Sequence, residues 1–100
     1  MYRQGDVLLV PVPERSDAMV RKVHGRVILA HGEATGHHHS FATDSGVALL
    51  DAGDETFLRV PREAALEHQE HATVQVAPGY YRVVRQREYD DSAEWRQVAD

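Results

Sequence analysis

Two short stretches of the chain concentrate imidazole: Gly36-His37-His38-His39-Ser40-Phe41 and Glu67-His68-Gln69-Glu70-His71. Where thiolate is absent, imidazole and carboxylate are the side chains that hold first-row divalent ions, and this chain has no cysteine. Alternate side chains of an extended strand share a face, so His37, His39 and Phe41 point one way and His38 and Ser40 the other. Phe41 marks the first face as the inward one, which sets two imidazoles side by side on an inner wall. In the second stretch a helix would put His68 and His71 on one face. A strand would instead put His68 and Glu70 beside Leu66 and Val74, with a bulge near Gln69 able to bring in His71. Together His37, His39, His68 and His71 could supply three or four donors to one divalent transition-metal ion, with Zn2+ the leading candidate and Fe2+ or Ni2+ also compatible. Glu70 is then an outer partner, a replacement ligand or a catalytic general base. Three protein ligands would leave a position for a hydrolytic water, whereas four would make the ion structural.

The elements that must position these residues read as short strands. Residues 6–12 suit a strand near a sheet edge, because Pro11 and Pro13 cannot donate to a ladder. Residues 14–22 read as a loop, with one helical turn open over 17–20. Residues 26–31 form a strand, 32–36 a glycine-bearing turn and 37–43 a returning strand. Residues 46–50 and 55–60 make a hairpin around the polar connection 51–54. From 66 to 76 an extended reading keeps Leu66, Ala72, Val74 and Val76 in phase and is preferred to a helix starting near Pro61. Residues 77–79 turn the chain into a strand over 80–89, and 90–92 turn it again towards a short last strand at 95–98. Strands at this spacing predict an all-β fold: a small single-domain barrel or sandwich of short antiparallel strands, spanning residues 1–100.

Composition narrows the function classes. Sixteen acidic against eleven basic residues give a net charge of −5, which argues against a surface that tracks nucleic-acid phosphates. Arg82, Arg85 and Arg87 with Tyr80, Tyr81 and Tyr89 could stack on a single strand, but this pattern reads first as half-buried sheet. No apolar run reaches the length of a membrane span and residues 1–6 show no signal peptide, so the expected compartment is the cytoplasm, without membrane association. Ser40 lies among histidines but has no nucleophile elbow around it. The alternative to a metal site is a non-enzymatic protein-binding or accessory module with solvated histidines, accepting another chain at an edge strand over residues 6–12. Pairing as a homodimer is a further option for completing so small a core.

Several motifs carry resemblances. Arg3-Gln4-Gly5-Asp6-Val7, Gly32-Glu33-Ala34-Thr35-Gly36-His37 with His39, His68-Gln69-Glu70-His71, and Ala77-Pro78-Gly79-Tyr80-Tyr81-Arg82-Val83 running into Arg85-Gln86-Arg87-Glu88-Tyr89 resemble a family of short uncharacterised prokaryotic and phage-type proteins. That resemblance favours His37, His39, His68 and His71 over His24, His31 and His38. The His37-x-His39 pair with the later histidines also resembles the metal pocket of cupin barrels, although the glutamate that follows the pair in cupins is missing from Ser40-Phe41-Ala42-Thr43-Asp44. Residues 5–11 with Glu14 are similar to the first strand of the small co-chaperonin that caps chaperonin rings, a likeness that implies nothing about the histidines.

Overall fold

Residues 1–32 and 36–86 are described by a computed structural model. They form ten strands: β1 (Tyr2–Gln4), β2 (Val7–Pro11), β3 (Met19–Val20), β4 (Val27–His31), β5 (His38–Phe41), β6 (Ala48–Ala52), β7 (Glu55–Val60), β8 (Ala64–Leu66), β9 (Val74–Val76) and β10 (Gly79–Arg85). All the pairings are antiparallel. One six-stranded sheet runs β1-β2-β10-β7-β6-β3, and β4-β5 and β8-β9 are separate two-stranded ribbons. The fold is therefore all-β, but its main sheet is open, with β1 and β3 at its edges, and does not close into a barrel. No helix among the described residues is long and apolar enough to cross a membrane.

Two hairpins of the sheet turn in two residues, Gly5-Asp6 and Gly53-Asp54, as the pairings Gln4↔Val7 and Ala52↔Glu55 require. Both glycines have positive φ (59° and 63°) and, among the described residues, no other residue type does, which fits a hairpin turn needing φ above zero at its first central position only. The first of these turns places Asp6 against the core rather than in solvent, with 4% exposure.

Alternation along the central strands gives the sheet two buried faces. Val7, Leu9, Leu49, Leu58, Val60 and Tyr81 pack with the ribbon residues Val27, Ala30, Phe41, Ala64, Leu66 and Val76. On the opposite face Leu50, Phe57 and Tyr80 pack beneath Val12 and Ala18. The two ribbons join where Ser40 and Glu67 exchange backbone hydrogen bonds of 3.0 and 2.9 Å. A register shift in β4 between Ile28 and Ala30, facing Ser40 and His39, adds a residue there and bends the ribbon over the sheet.

Several sequence expectations change here. Residues 66–76 are not one strand; β8 and β9 are separated by a loop over 67–73, because paired residues Leu66↔Val74 close a ribbon. The strand β2 is not an edge: β1 and β10 hydrogen-bond both its sides, so the site proposed there for an added chain is already filled. Segment 17–20 yields the short edge strand β3 instead of a helical turn. The expected turn at 90–92 and strand at 95–98 lie outside the described residues.

Phe41 is fully buried and lies between the sheet and both ribbons. Phe41→Ala is expected to lower unfolding stability by about 3–5 kcal/mol, the usual cost of emptying such a site. Urea denaturation of both proteins measures it.

Candidate functional site

The two histidine stretches meet. His39 enters from β5, His37 from the segment just before it, and His68 and His71 from the 67–73 loop that follows β8. Ring centroids are 4.4 Å apart for His39 and His68, 4.6 Å for His68 and His71, 5.6 Å for His37 and His68, and 6.0 Å for His39 and His71. All of the sequence-derived ligand candidates thus fall in one cluster, with His39 at 0% and His68 at 9% exposure. The strand phase is as expected: His39 and Phe41 face inward, while His38 and Ser40 share the other side, their Nδ1 and Oγ atoms 3.0 Å apart.

Hydrogen bonds fix the protonation of two rings. The Gln4 carboxamide donates from Nε2 to the carbonyls of Leu66 (2.9 Å) and Ala72 (3.0 Å), so its Oε1 is the atom left facing His39 Nδ1, at 2.9 Å. An amide oxygen only accepts, so His39 carries its proton on Nδ1 and presents a bare Nε2. His68 is fixed the opposite way: its Nδ1 accepts the backbone N–H groups of Glu70 (3.0 Å) and His71 (3.3 Å), which leaves the neutral ring's proton on Nε2. Ligation by His68 would require giving up one of these arrangements. Among the described residues, His37 Nδ1, His39 Nε2 and His71 Nε2 are buried nitrogens with no hydrogen-bond partner.

The electrostatics favour a neutral His39. Burial, first, and then the neighbouring His68 imidazole push the pKa of His39 down from 6.5 to about 4, with Asp6 pulling against them. Asp6 Oδ1 stands 3.7 Å from His39 Nε2, and Asp6 Oδ2 receives Arg85 Nε at 2.9 Å and Nη2 at 2.7 Å. Glu70 lies at the rim, mostly exposed, with Oε1 3.7 Å from His37 Nδ1. Among the described residues no group of three or more His, Asp or Glu side chains is arranged to hold a metal ion.

A polar cavity of about 310 Å3 adjoins the cluster, lined by Arg26, His38, Ser40, Glu67, His68 and Gln69. His68 is the wall common to both. Ser40 Oγ accepts from Arg26 Nε at 2.9 Å, and the Ser40 amide is bonded to Glu67 O, so it offers no oxyanion donor. His24 and His31 are exposed. Arg82 and Arg85 lie on the central strand β10, where each pairs with a carboxylate, Glu55 and Asp6 respectively.

Sequence reasoning overlooked Gln4, Asp6 and Arg85. Gln4 and Asp6 stand within Arg3-Gln4-Gly5-Asp6-Val7, which was noticed only as a mark of resemblance. A usable signal was there: two polar residues bracketing a glycine immediately before the apolar strand β2.

Fold and site together define a small open-sheet β protein built around a partly buried histidine cluster. The chain belongs to the family described as Domain of unknown function (DUF8820), which matches residues 3–86. No curated protein and no solved structure matches it.

Two outcomes follow from this geometry. Because the unfolded chain protonates His39 near pH 6.5 and the folded protein only near 4, the unfolded state binds more protons between those values. The contribution of neutral His39 is complete above about pH 6.5 and declines as pH falls towards 4; urea titrations across this range should show a shallower decline in His39→Gln. Gln4→Leu leaves the His39 N–H and the carbonyls of Leu66 and Ala72 without the carboxamide and should destabilise the fold by at least about 3 kcal/mol, at about 1–3 kcal/mol per stranded group. Faster amide exchange over residues 67–73 would accompany it.

Proposed function

We propose that the protein binds a divalent transition-metal ion at this cluster, with His37, His39 and His71 as nitrogen donors and His68 organising the loop that carries His71. The carrying observation is the bare, buried Nε2 of His39, whose Nδ1–H is held by Gln4. An imidazole held through its far nitrogen by a fixed oxygen is the usual outer support of a metal-ligating histidine. The unpartnered nitrogens of His37 and His71 in the same cluster support the reading. Burying such groups without a partner is costly, and a dication would turn that cost into binding energy.

A bound ion would supply Lewis acidity and lower the pKa of a coordinated water towards about 7 in the case of Zn2+. Glu70, at the exposed rim beside His37, would serve as general base in a hydrolytic reaction. Imidazole donors suit Zn2+ first and accommodate Fe2+ or Ni2+. The polar cavity beside His68 would receive a small hydrophilic substrate.

Untagged protein purified without added metal should carry close to one ion per chain by elemental analysis, and a joint His37→Ala, His39→Ala variant should carry almost none while keeping its β circular dichroism. Metal well below one per chain that is not restored by Zn2+, Fe2+ or Ni2+ would overturn the proposal.

A further inference from the structure

We infer that the polar cavity on the His38 and Ser40 side of β5 binds the oxyanion of a small hydrophilic molecule, a carboxylate or a phosphate group. This goes beyond the metal reading and does not require an ion in the histidine cluster. At about 310 Å3 the cavity lies at the lower end of the roughly 300–1,000 Å3 of small-molecule sites, so it takes a metabolite-sized group and not a chain. Arg26, His38, Ser40, Glu67, His68 and Gln69 line it, with no aliphatic residue among them, so its occupant has to be polar.

Hydrogen bonding within the wall decides which atoms are left to meet that occupant. Arg26 Nη2 lies 2.6 Å from Glu67 Oε1, so the two formal charges of the lining offset one another. Arg26 Nε donates to Ser40 Oγ at 2.9 Å. The Ser40 side chain is almost wholly buried, and His38 Nδ1, 3.0 Å away, is the acceptor beside it for its own hydrogen. The hydroxyl therefore donates to Nδ1, which puts the ring proton of His38 on Nε2. Gln69 is oriented in the same sense. Its Oε1 accepts the His38 amide at 2.8 Å, so the end left over is the Nε2 amide, a donor.

Among the described residues neither His38 Nε2 nor Gln69 Nε2 has a hydrogen-bond partner. The ring Nδ1, the Gln69 oxygen and one Glu67 oxygen are used inside the wall, whereas these two donors are not. Such a wall selects a group rich in acceptors, and bonds from N–H to an ionised oxygen are the stronger kind, which favours an oxyanion over a hydroxyl or an amide.

The test is titration of full-length, isotope-labelled protein with inorganic phosphate, succinate and succinamide at constant ionic strength, followed by NMR at the Gln69 side-chain amide and the His38 ring. Saturable shifts with phosphate define a phosphate site and with succinate a carboxylate site, while succinamide, the neutral counterpart, should give none. Gln69→Glu keeps an oxygen for the His38 amide but replaces the donor by an anion, and should weaken binding by about 10-fold or more, the loss expected for one charge-assisted hydrogen bond. Should that variant lose its β circular dichroism, His38→Phe, which keeps a ring and removes the Nε2 donor, carries the same expectation. Saturation by neither anion, succinamide binding as tightly as succinate, or unchanged affinity in the folded variant would each overturn the inference. The shifts should persist after the protein is treated with EDTA and dialysed; their loss would overturn the inference by assigning the anion to a metal in the histidine cluster, leaving the metal reading standing.

Discussion

The side chain of Gln4 is the contact on which the arrangement of the site depends. One carboxamide reaches from β1 to the carbonyl of Leu66 at the end of β8, to that of Ala72 in the loop that follows, and to the imidazole of His39 on β5. It thereby ties together three segments remote in sequence and, because an amide has distinct donor and acceptor ends, it also decides which nitrogen of His39 is bare. A hydrophobic residue of the same size could fill the space but could not make that choice.

The 67–73 loop shows how a segment without regular structure becomes rigid enough to carry ligands. Glu67 is held by backbone bonds to Ser40, Gln69 Oε1 accepts the His38 amide at 2.8 Å, and His68 folds back on the amides of Glu70 and His71. Although most of the loop is exposed, its bends are fixed by side chains that also line the site. His68 therefore has a structural occupation before any ligand is considered. Its tautomer is the reverse of that of His39, although the rings are only 4.4 Å apart.

An open sheet with two covered faces suits this task. The ribbons β4-β5 and β8-β9 pack on one face through Phe41, Leu66 and Val76, and the polar cluster sits within the same layer as that apolar packing. Burial in that layer favours the neutral form of His39. The opposite face, closed by Leu50, Phe57 and Tyr80, supports the strands without contributing to the site.

The β class, the hairpin of β6 and β7, the inward phase of His39 and Phe41 and the grouping of the four histidines were all legible in the chain, because each follows from local alternation or from residue types that repeat within a few positions. The break of residues 66–76 into two strands was not, since Leu66, Val74 and Val76 keep the phase of one strand whether or not a loop intervenes. Nor was the interior position of β2, where Pro11 and Pro13 suggested an edge: its ladder partners come from β1 and from β10, and prolines at the end of a strand do not report pairing along its length. The roles of Gln4, Asp6 and Arg85 lay furthest from view. Arg85 is 79 positions from Asp6, and Gln4 is 35 from His39. Sequence by itself determined that the histidines fall in two short groups; tertiary structure decided which nitrogen of His39 and of His68 carries the proton and which carboxylate stands beside His39, because a tautomer depends on partners that only folding brings within hydrogen-bond reach.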